Sequence, residues 1–333
     1  MITDARALRD QYLPNELVHR NDDMNSLSSH LSPIEHGFSG ENTLVTGPSG
    51  SGKTTLAKYT LEMLERETLS VASGYTNCFS NSTTTGVLHS LLIDADLGHD
   101  LQRETSSRDQ FLRRVRELED QVVFIIDEVD ALEDLGLLAP MFDAENVTLI
   151  LICVNENGLL SHIDMRIQSR IRSAASMRLD KYRHQELVDI VDGRINAGLR
   201  PSAHDRAAID RLAELAAGDA RMAVAILRRA ALKADREGIE SLSPGLVESV
   251  VDGAESDVHQ KNIERLSTEK RILYDIIEDH GEIAAEDLHE RYEERSLDPR
   301  SKPTRRRYLA TLERYDLVEQ IGATRGSRYR HVA

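Results

Sequence analysis

The first half of the chain alternates short, continuous apolar runs with segments whose apolar positions recur at helical spacing. Continuous runs of about four to eight apolar residues are typical of strands buried on both faces of a parallel sheet. Such runs predict strands at residues 122–126 and 148–154, and shorter apolar segments predict further strands at residues 43–46, 69–71 and near 178–179. Helices are predicted between them at residues 54–66, 84–92 and 107–119. This alternation predicts a doubly wound α/β unit.

The pattern changes twice in the second half of the chain. Residues 184–252 show helical periodicity with breaks near Gly198 and Gly218, which predicts a helical lid. From about residue 258, an apolar stripe predicts a helix that ends at Gly281. Two more helices are predicted after it, at residues 285–292 and 303–315. A hairpin with strands at residues 317–321 and 329–332 is predicted to follow them. Three short helices followed by a hairpin predict a winged helix-turn-helix.

Charge is unevenly distributed along the chain. The 333 residues carry 41 Lys and Arg against 57 Asp and Glu, a net charge of −16. Residues 300–333 alone hold nine basic side chains and three acids, so a basic segment follows an acidic body. This arrangement favours a local polyanion site over general nucleic-acid binding. Because no apolar stretch approaches the roughly 20 residues of a bilayer span, we expect a cytoplasmic protein without membrane contact.

A glycine-rich segment, GPSGSGKT at residues 47–54, lies between the first predicted strand and the first predicted helix. This is the context that a P-loop requires, since backbone N–H groups and the helix N-terminus can then surround phosphate. Lys53 is predicted to reach the β- and γ-phosphates, and the Thr54 hydroxyl to hold Mg²⁺. The alternative for such a segment is a flexible surface loop.

Two acids, Asp127 and Glu128, follow the apolar run at residues 122–126. Ligands of open α/β sheets bind at the carboxyl edge, where these acids are expected. Asp127 is predicted to hold the metal ion and Glu128 to polarise the attacking water. The alternative, in which both acids cap a helix that starts near Val129, is compatible with this role. Together the two motifs predict a nucleoside-triphosphatase.

The ordered motifs resemble one family, the archaeal replication-initiator AAA+ proteins, which are related to the eukaryotic origin-recognition and cell-division-cycle loading factors. Residues 12–20 look like the N-terminal box that folds over adenine, and residues 75–78 look like the strand before the initiator insertion. Residues 127–130, DEVD, resemble the family's Walker B motif. The resemblance implies an α/β P-loop AAA+ ATPase core with an all-α lid, followed by a winged helix-turn-helix domain. The predicted boundaries are 1–182, 183–257 and 258–333.

The same resemblance assigns residues that respond to the γ-phosphate. Asn155 lies where the family has its sensor-one residue, and its alternative is a turn Asn at a strand end. Arg170 and Arg166 lie where the family has its arginine finger, and their alternative is a solvated helix face. Arg221, in the sequence GDAR, resembles the sensor-two arginine, and its alternative is an ordinary charge at a helix start.

ATP or ADP and Mg²⁺ are the implied cofactors. The predicted nucleotide contacts are Leu13, Pro14, Gly47, Pro48, Ser49, Gly50, Ser51, Gly52, Lys53, Thr54, Thr55, Asp127, Tyr182, Arg194 and Arg221. Predicted DNA contacts come from the third helix and the wing, at Arg305, Arg306, Arg325, Arg328 and Arg330.

The resemblance implies a replication initiator with slow, switch-like ATP hydrolysis. Its implied partners are duplex origin DNA, the replicative helicase and further copies of the chain on DNA. Two other functions remain open at this point. One is an ATPase that regulates transcription through the same winged helix, and the other is a remodeller whose C-terminal domain binds protein.

Overall fold

A computed structural model describes residues 1–68, 71–161, 163–201, 203–322 and 326–332. Its strands, numbered along the chain, are β1 Thr43–Thr46, β2 Ala72–Asn77, β3 Val122–Asp127, β4 Val147–Cys153, β5 Ala175–Arg178, β6 Glu282–Ala284, β7 Val318–Ile321 and β8 Arg328–His331. The helices of the first half are α1 Asn21–Leu31, α2 Lys53–Glu67, α3 Thr84–Asp94, α4 Arg108–Arg116, α5 Leu138–Phe142, α6 Glu156–Leu160 and α7 Met165–Ser173. Those of the second half are α8 His184–Gly198, α9 Arg206–Ala216, α10 Ala220–Glu237, α11 Pro244–Glu248, α12 Val251–Glu264, α13 Thr268–His280, α14 Ala285–Arg295 and α15 Lys302–Arg314.

The α/β unit is built on a parallel sheet in the order β2-β3-β4-β1-β5. Strands β3 and β4 are buried along their whole length, as continuous apolar runs in a parallel sheet require. The register aligns the last residues of β1 with those of β4 and β5, so the carboxyl ends of these strands share one edge. The predicted α/β sheet is therefore confirmed. The strand expected at residues 69–71 is instead β2, while Leu69 and Ser70 lie outside the described residues.

Helices α8 to α12 form the all-helical unit, and their apolar faces share one core. The first residues of the chain pack on this unit, because Met1 and Leu8 belong to its core and Thr3 donates a backbone hydrogen bond to Gly198. The predicted division of the chain had placed these residues in the α/β unit, as part of residues 1–182. Helix α12 also runs without a break past residue 257, where a domain boundary was placed.

The C-terminal unit follows the order α13-β6-α14-α15-β7-β8, with the antiparallel sheet β6-β8-β7. This order is that of a winged helix, as the hydrophobic pattern predicted. Three fully buried tyrosines, Tyr274, Tyr292 and Tyr308, fill much of its core. Strand β6 was not predicted, because it is only three residues long and is defined by its pairing with distant β8.

The winged helix packs against the α/β unit through a shared hydrophobic cluster. Phe79, which follows β2 in the α/β unit, is fully buried in the core of the winged helix. Its ring centroid lies 4.3 Å from that of Tyr315. Beside it, the Lys270 ammonium donates a 2.7 Å hydrogen bond to the Phe79 carbonyl oxygen. A side chain of one unit thus completes the core of the other.

Among the helices that the structure describes, none combines the length and the hydrophobicity of a membrane span.

Candidate functional site

The P-loop connects β1 to α2 at the carboxyl edge of the sheet. Gly50 and Gly52 adopt left-handed backbone conformations with φ of 71° and 86°, which favour glycine. A Cβ atom on Gly50 would overlap the Asp219 carboxylate, and one on Gly52 would overlap the Tyr182 hydroxyl. Glycine is therefore required here both by conformation and by the close approach of the two neighbouring side chains.

Polar groups of the loop suit a bound phosphate. The Lys53 ammonium donates hydrogen bonds of 2.7 Å to the Gly47 and Pro48 carbonyl oxygens, and burial lowers the pKa of Lys53. The Ser51 hydroxyl is buried and has no hydrogen-bond partner among the described residues. Helix α2 begins at Lys53, and the first N–H groups of a helix attract anions. The residues present therefore fit a nucleotide phosphate.

Asp127 is the point at which the P-loop and the second motif meet. Its carboxylate is almost fully buried and accepts hydrogen bonds from Thr54 at 2.8 Å, Tyr75 at 3.1 Å and Asn77 at 3.3 Å. Burial, and then the adjacent Glu128 carboxylate, raise the pKa of Asp127, while the three donors oppose that change. A hydroxyl oxygen and a carboxylate side by side are a donor set that suits Mg²⁺.

Glu128 turns away from the strand in a left-handed conformation, with φ of 54°. The Asn77 amide donates a 3.1 Å hydrogen bond to Glu128 Oε1. A short 3₁₀ turn, Val129–Ala131, follows, but the Glu128 side chain does not cap it. The alternative in which the two acids act as helix caps thus has no support in the geometry. Asn77 was not predicted as a site residue, and no local sequence signal distinguishes it.

Asn155 lies just after β4, and the neighbouring Val154 carbonyl oxygen accepts a 3.3 Å hydrogen bond from the Gly47 N–H. The side chain of Asn155 caps α6, since its carbonyl oxygen accepts a 2.9 Å hydrogen bond from the Asn157 N–H. This position therefore lies beside the P-loop, but the oxygen is used by the cap. The sensor role of Asn155 stays a prediction.

The helical unit contacts the P-loop at the start of α10. The Ala220 N–H donates a 3.1 Å hydrogen bond to the Gly50 carbonyl oxygen, and the Asp219 carboxylate caps the helix by accepting from Arg221 and Met222. Arg221 lies close enough to Lys53 for its charge to lower the lysine pKa. Arg221 therefore lies near the P-loop, and its sensor role stays a prediction.

The two candidates for an arginine finger both lie on α7. Arg170 pairs with Asp143, and both side chains are partly exposed. Arg166 is exposed, and it lines an open groove with Arg108 and Arg116. Both residues stay candidates for the predicted arginine finger.

The N-terminal box reaches the P-loop through a residue without an assigned role. The Arg20 guanidinium donates to the Ser51 carbonyl oxygen at 2.9 Å and to the Asp180 carbonyl oxygen at 2.7 Å. It also lies over the Tyr182 ring, 4.4 Å from its centroid. Arg20 belongs to the predicted N-terminal box, but no motif predicted its hydrogen bonds to Ser51 and Asp180. Leu13 and Pro14 are partly buried in the same segment.

Arg194 has a different environment from the one predicted. Its guanidinium donates to the carbonyl oxygens of Ala7, Arg9 and Tyr12, at 2.9, 3.0 and 3.0 Å. It also lies over the Tyr12 ring. These bonds engage the terminal nitrogens of Arg194, so its role is to hold the N-terminal segment on the helical unit. The prediction of a direct nucleotide contact is corrected accordingly.

The predicted DNA contact of Arg305 is also corrected. Its side chain is 3% exposed and lies between α14 and α15, where it donates to the His289 carbonyl oxygen at 2.9 Å and to Glu293 at 2.6 Å. It therefore cannot reach a DNA groove. The hydrophobic pattern of α15 did not predict this burial, because Arg305 is covered by a neighbouring helix, where it lies over the Tyr292 ring.

The other predicted DNA contacts differ in their surroundings. Arg306 is exposed on α15. On β8, Arg328 and Arg330 are about half exposed and both pair with Glu282 of β6, at 2.6 and 3.0 Å. Arg325 lies outside the described residues. The available basic surface thus centres on Arg306 and the wing.

Comparisons with known proteins agree with this arrangement. Residues 36–161 match the AAA domain family, and residues 188–252 match the Cdc6 AAA+ ATPase-type lid domain. The ORC1-type DNA replication protein 9 of Halobacterium salinarum is 37% identical over 330 residues, which cover 99% of this chain and 93% of the relative.

Solved structures share the fold at lower sequence identity. The Aeropyrum pernix ORC1 protein in complex with DNA superposes with a TM-score of 0.75 at 23% identity, covering 100% of this chain and 94% of the other. The A. pernix ORC2 protein, solved as ADPNP–ADP complexes, gives a TM-score of 0.67 at 23% identity with the same coverage.

Proposed function

The chain belongs to the family of ORC1-type DNA replication proteins, which combine an AAA+ ATPase core with a Cdc6-type lid, and we propose that it is an ATP-dependent initiator of DNA replication. In this function it binds duplex DNA at an origin and helps to recruit or load the replicative helicase. The observation that supports this most directly is a complete P-loop and Walker B site packed against a winged helix.

ATP binding is assigned to the P-loop, the lid and the N-terminal box. Thr54 and Asp127 are the residues that would hold Mg²⁺, which supplies positive charge to the phosphates when it is bound. Glu128 orients and activates the attacking water, while Lys53 and Arg221 stabilise the charge that develops on the γ-phosphate. Since the lid is bonded to the P-loop through Ala220 and Gly50, the nucleotide state is communicated to the lid.

Hydrolysis in this proposal is slow and acts as a switch. An arginine finger, Arg170 or Arg166, is supplied by a neighbouring copy on DNA. Both residues are on α7 at the surface of the α/β unit, where such a neighbour has access. A finger presented only by a neighbour makes hydrolysis depend on assembly rather than on nucleotide binding alone.

DNA binding is assigned to the outer face of α15 and to the wing. Arg306 and the wing residues Arg325, Arg328 and Arg330 provide positive charge on a chain that is otherwise acidic. Lys302 lies one turn before Arg306 and is also exposed. Phosphate contacts position such a domain, and a wing arginine suits the minor groove.

A footprint of the full-length protein on its own genome tests the function. We expect a small number of protected duplex sites that lie at points of replication initiation and whose protection changes with ATP. Protection confined to promoters would instead identify a transcription regulator. Absence of any duplex binding at low salt would favour a remodeller whose winged helix binds protein.

A further inference from the structure

The carboxylate proposed to activate water is contacted from the C-terminal part of the chain. Arg314, at the end of α15, has its Nη2 atom 3.9 Å from Glu128 Oε2. Arg265, the residue after α12, has its Nη2 atom 3.9 Å from Glu128 Oε1. Each oxygen of Glu128 therefore lies at ion-pair distance from a guanidinium that the α/β unit does not supply.

Arg314 is also anchored to the same loop. It pairs with Asp130, two residues after Glu128. Along α15, the Arg307 guanidinium donates to the Glu133 carbonyl oxygen, and the Tyr308 hydroxyl donates to the Glu133 carboxylate. The inner face of α15 is thus bound to the segment that begins with the two Walker B acids.

Burial makes these charges act strongly on one another. The Glu128 side chain is 11% exposed and the Arg314 side chain 26% exposed. Within the described part of the chain, neither Glu128 Oε2 nor Arg314 Nη2 has a hydrogen-bond partner. These two atoms therefore attract each other electrostatically without a hydrogen bond between them, while the Asn77 amide binds Glu128 Oε1 and Asp130 binds Arg314. In a partly buried site such an attraction is weakly screened and sensitive to small shifts.

We propose that Arg265 and Arg314 are positioning residues that draw the Glu128 carboxylate toward the winged helix and thereby restrain ATP hydrolysis. The proposal rests on the proposed function, in which Glu128 activates water. A carboxylate oriented by two guanidinium groups is less available to a water molecule beside the γ-phosphate. Release of Arg314 frees Glu128, so the position of the winged helix sets the rate.

The geometry of α15 connects this restraint to the predicted DNA surface. Arg306 and Arg314 are on one helix, about 12 Å apart along its axis at 1.5 Å per residue. Arg306 is exposed, whereas Arg314 contacts the Walker B loop. A duplex that binds the outer face and shifts α15 therefore moves Arg314 relative to Glu128. We infer that duplex DNA accelerates hydrolysis by this route.

Steady-state ATP hydrolysis by the full-length protein tests the restraint. We expect Arg314→Ala to raise kcat by about threefold or more with little change in KM, because binding of the nucleotide is untouched. Arg314→Lys, which keeps the charge, should stay near the wild-type rate. Arg291→Ala removes an exposed arginine from neighbouring α14 and serves as the matched control. A merely structural role for Arg314 would lower the rate instead.

A double-mutant cycle adds a second, independent measurement. Asp130→Asn removes the anchor of Arg314 and should raise kcat in the same direction, and the Asp130→Asn, Arg314→Ala double variant should add little further. If Arg314→Ala does not fold, Arg265→Gln, at the more exposed of the two arginines, replaces it with the same expected direction. A kcat at or below the wild-type value in folded Arg314→Ala, Asp130→Asn or Arg265→Gln overturns the proposal.

The same hydrolysis measurement with duplex DNA added distinguishes failure of this inference from failure of the proposed function. Duplex DNA should raise kcat of the wild type and leave Arg314→Ala nearly unchanged, since its restraint is already removed. An equal DNA response in both proteins overturns the link through α15. If no variant binds DNA while Arg314→Ala still hydrolyses ATP faster, the initiator function fails and the restraint on Glu128 is supported.

Discussion

The Thr54 hydroxyl donates a 2.8 Å hydrogen bond to the Asp127 carboxylate and so connects the first turn of α2 with the end of β3. These residues are 73 positions apart in sequence, and neither motif alone specifies their contact. The parallel register brings the carboxyl ends of the central strands to one edge, which makes the contact possible. A single hydrogen bond thus joins the P-loop to the Walker B motif.

Glu128→Gln should retain ATP binding and slow hydrolysis by about 10² to 10⁴, because an amide cannot accept the proton of the attacking water. Single-turnover hydrolysis and equilibrium nucleotide binding measure the two effects separately. Lys53→Ala is the contrasting variant, for which tight ATP binding itself should be lost. Unchanged turnover in Glu128→Gln would remove Glu128 from the mechanism.

Arg221 and Arg170 should differ in their dependence on protein concentration. Arg221 lies beside Lys53 in the same chain, so Arg221→Ala should impair hydrolysis at every concentration. Arg170→Ala should matter only when a neighbouring subunit presents its site. Mixing Arg170→Ala with Lys53→Ala tests this: recovered activity supports a finger acting in trans. The same mixture with Arg166→Ala decides between the two candidates, and no recovery in either case would refute the assignment.

Adjacent arginines on α15 provide a matched pair for DNA binding. Arg306 is exposed, and if it contacts a phosphate, Arg306→Ala should shallow the slope of log K against log salt by roughly one unit. Arg305 is 3% exposed and internally bonded, so Arg305→Ala should leave the slope unchanged and lower the stability of the winged helix. Fluorescence anisotropy with a labelled duplex across a salt series measures both slopes. Equal slopes for all three proteins would exclude Arg306 from the interface.

Lys270 should make stability depend on pH. Burial lowers the pKa of Lys270 from 10.5 to about 8. Between these values the unfolded chain binds more protons than the folded chain, so the free energy of unfolding rises with pH in this window. Relative to Lys270→Met, the wild type should therefore gain stability from pH 8 toward 10.5, by up to about 3 kcal/mol.

Urea unfolding followed by circular dichroism at several pH values measures this difference. Below pH 8 the charged ammonium is present in both states, so the difference between wild type and Lys270→Met should be constant there. Lys302→Met, at an exposed lysine, should show no such dependence. A difference that falls as pH rises above 8 would contradict the burial of the ammonium.

The features that the sequence predicted correctly are those with local causes. Strand β1 was predicted with its observed bounds, and strand β3 to within one residue. The five consecutive apolar residues at 122–126 leave few alternatives to a buried strand, and the glycine-rich loop that starts at residue 47 marks the end of β1. The P-loop and the Walker B acids were recognised because glycine conformation and strand-end position are encoded within a few residues. The order of secondary structure then sufficed to predict the winged helix.

The features that were missed depend on contacts between distant segments. Arg305 has the sequence context of a surface arginine, yet packing against α14 buries it. Arg194 was assigned to nucleotide, but it holds the backbone of residues almost two hundred positions away. The contacts of Arg265 and Arg314 with Glu128 likewise depend on how the winged helix packs against the sheet. No periodicity or motif carries such information.

Phe79 has a consequence for how such chains can be recombined. Because this side chain belongs to the α/β unit by sequence and to the winged helix by packing, the C-terminal unit is not a portable module. A hybrid that takes its winged helix from a relative inherits a cavity shaped for that relative's residue at this position. A hybrid that keeps this core intact therefore has to take residue 79 and the C-terminal unit from the same relative. During evolution, changes in the core of the winged helix are expected to be accompanied by changes at residue 79.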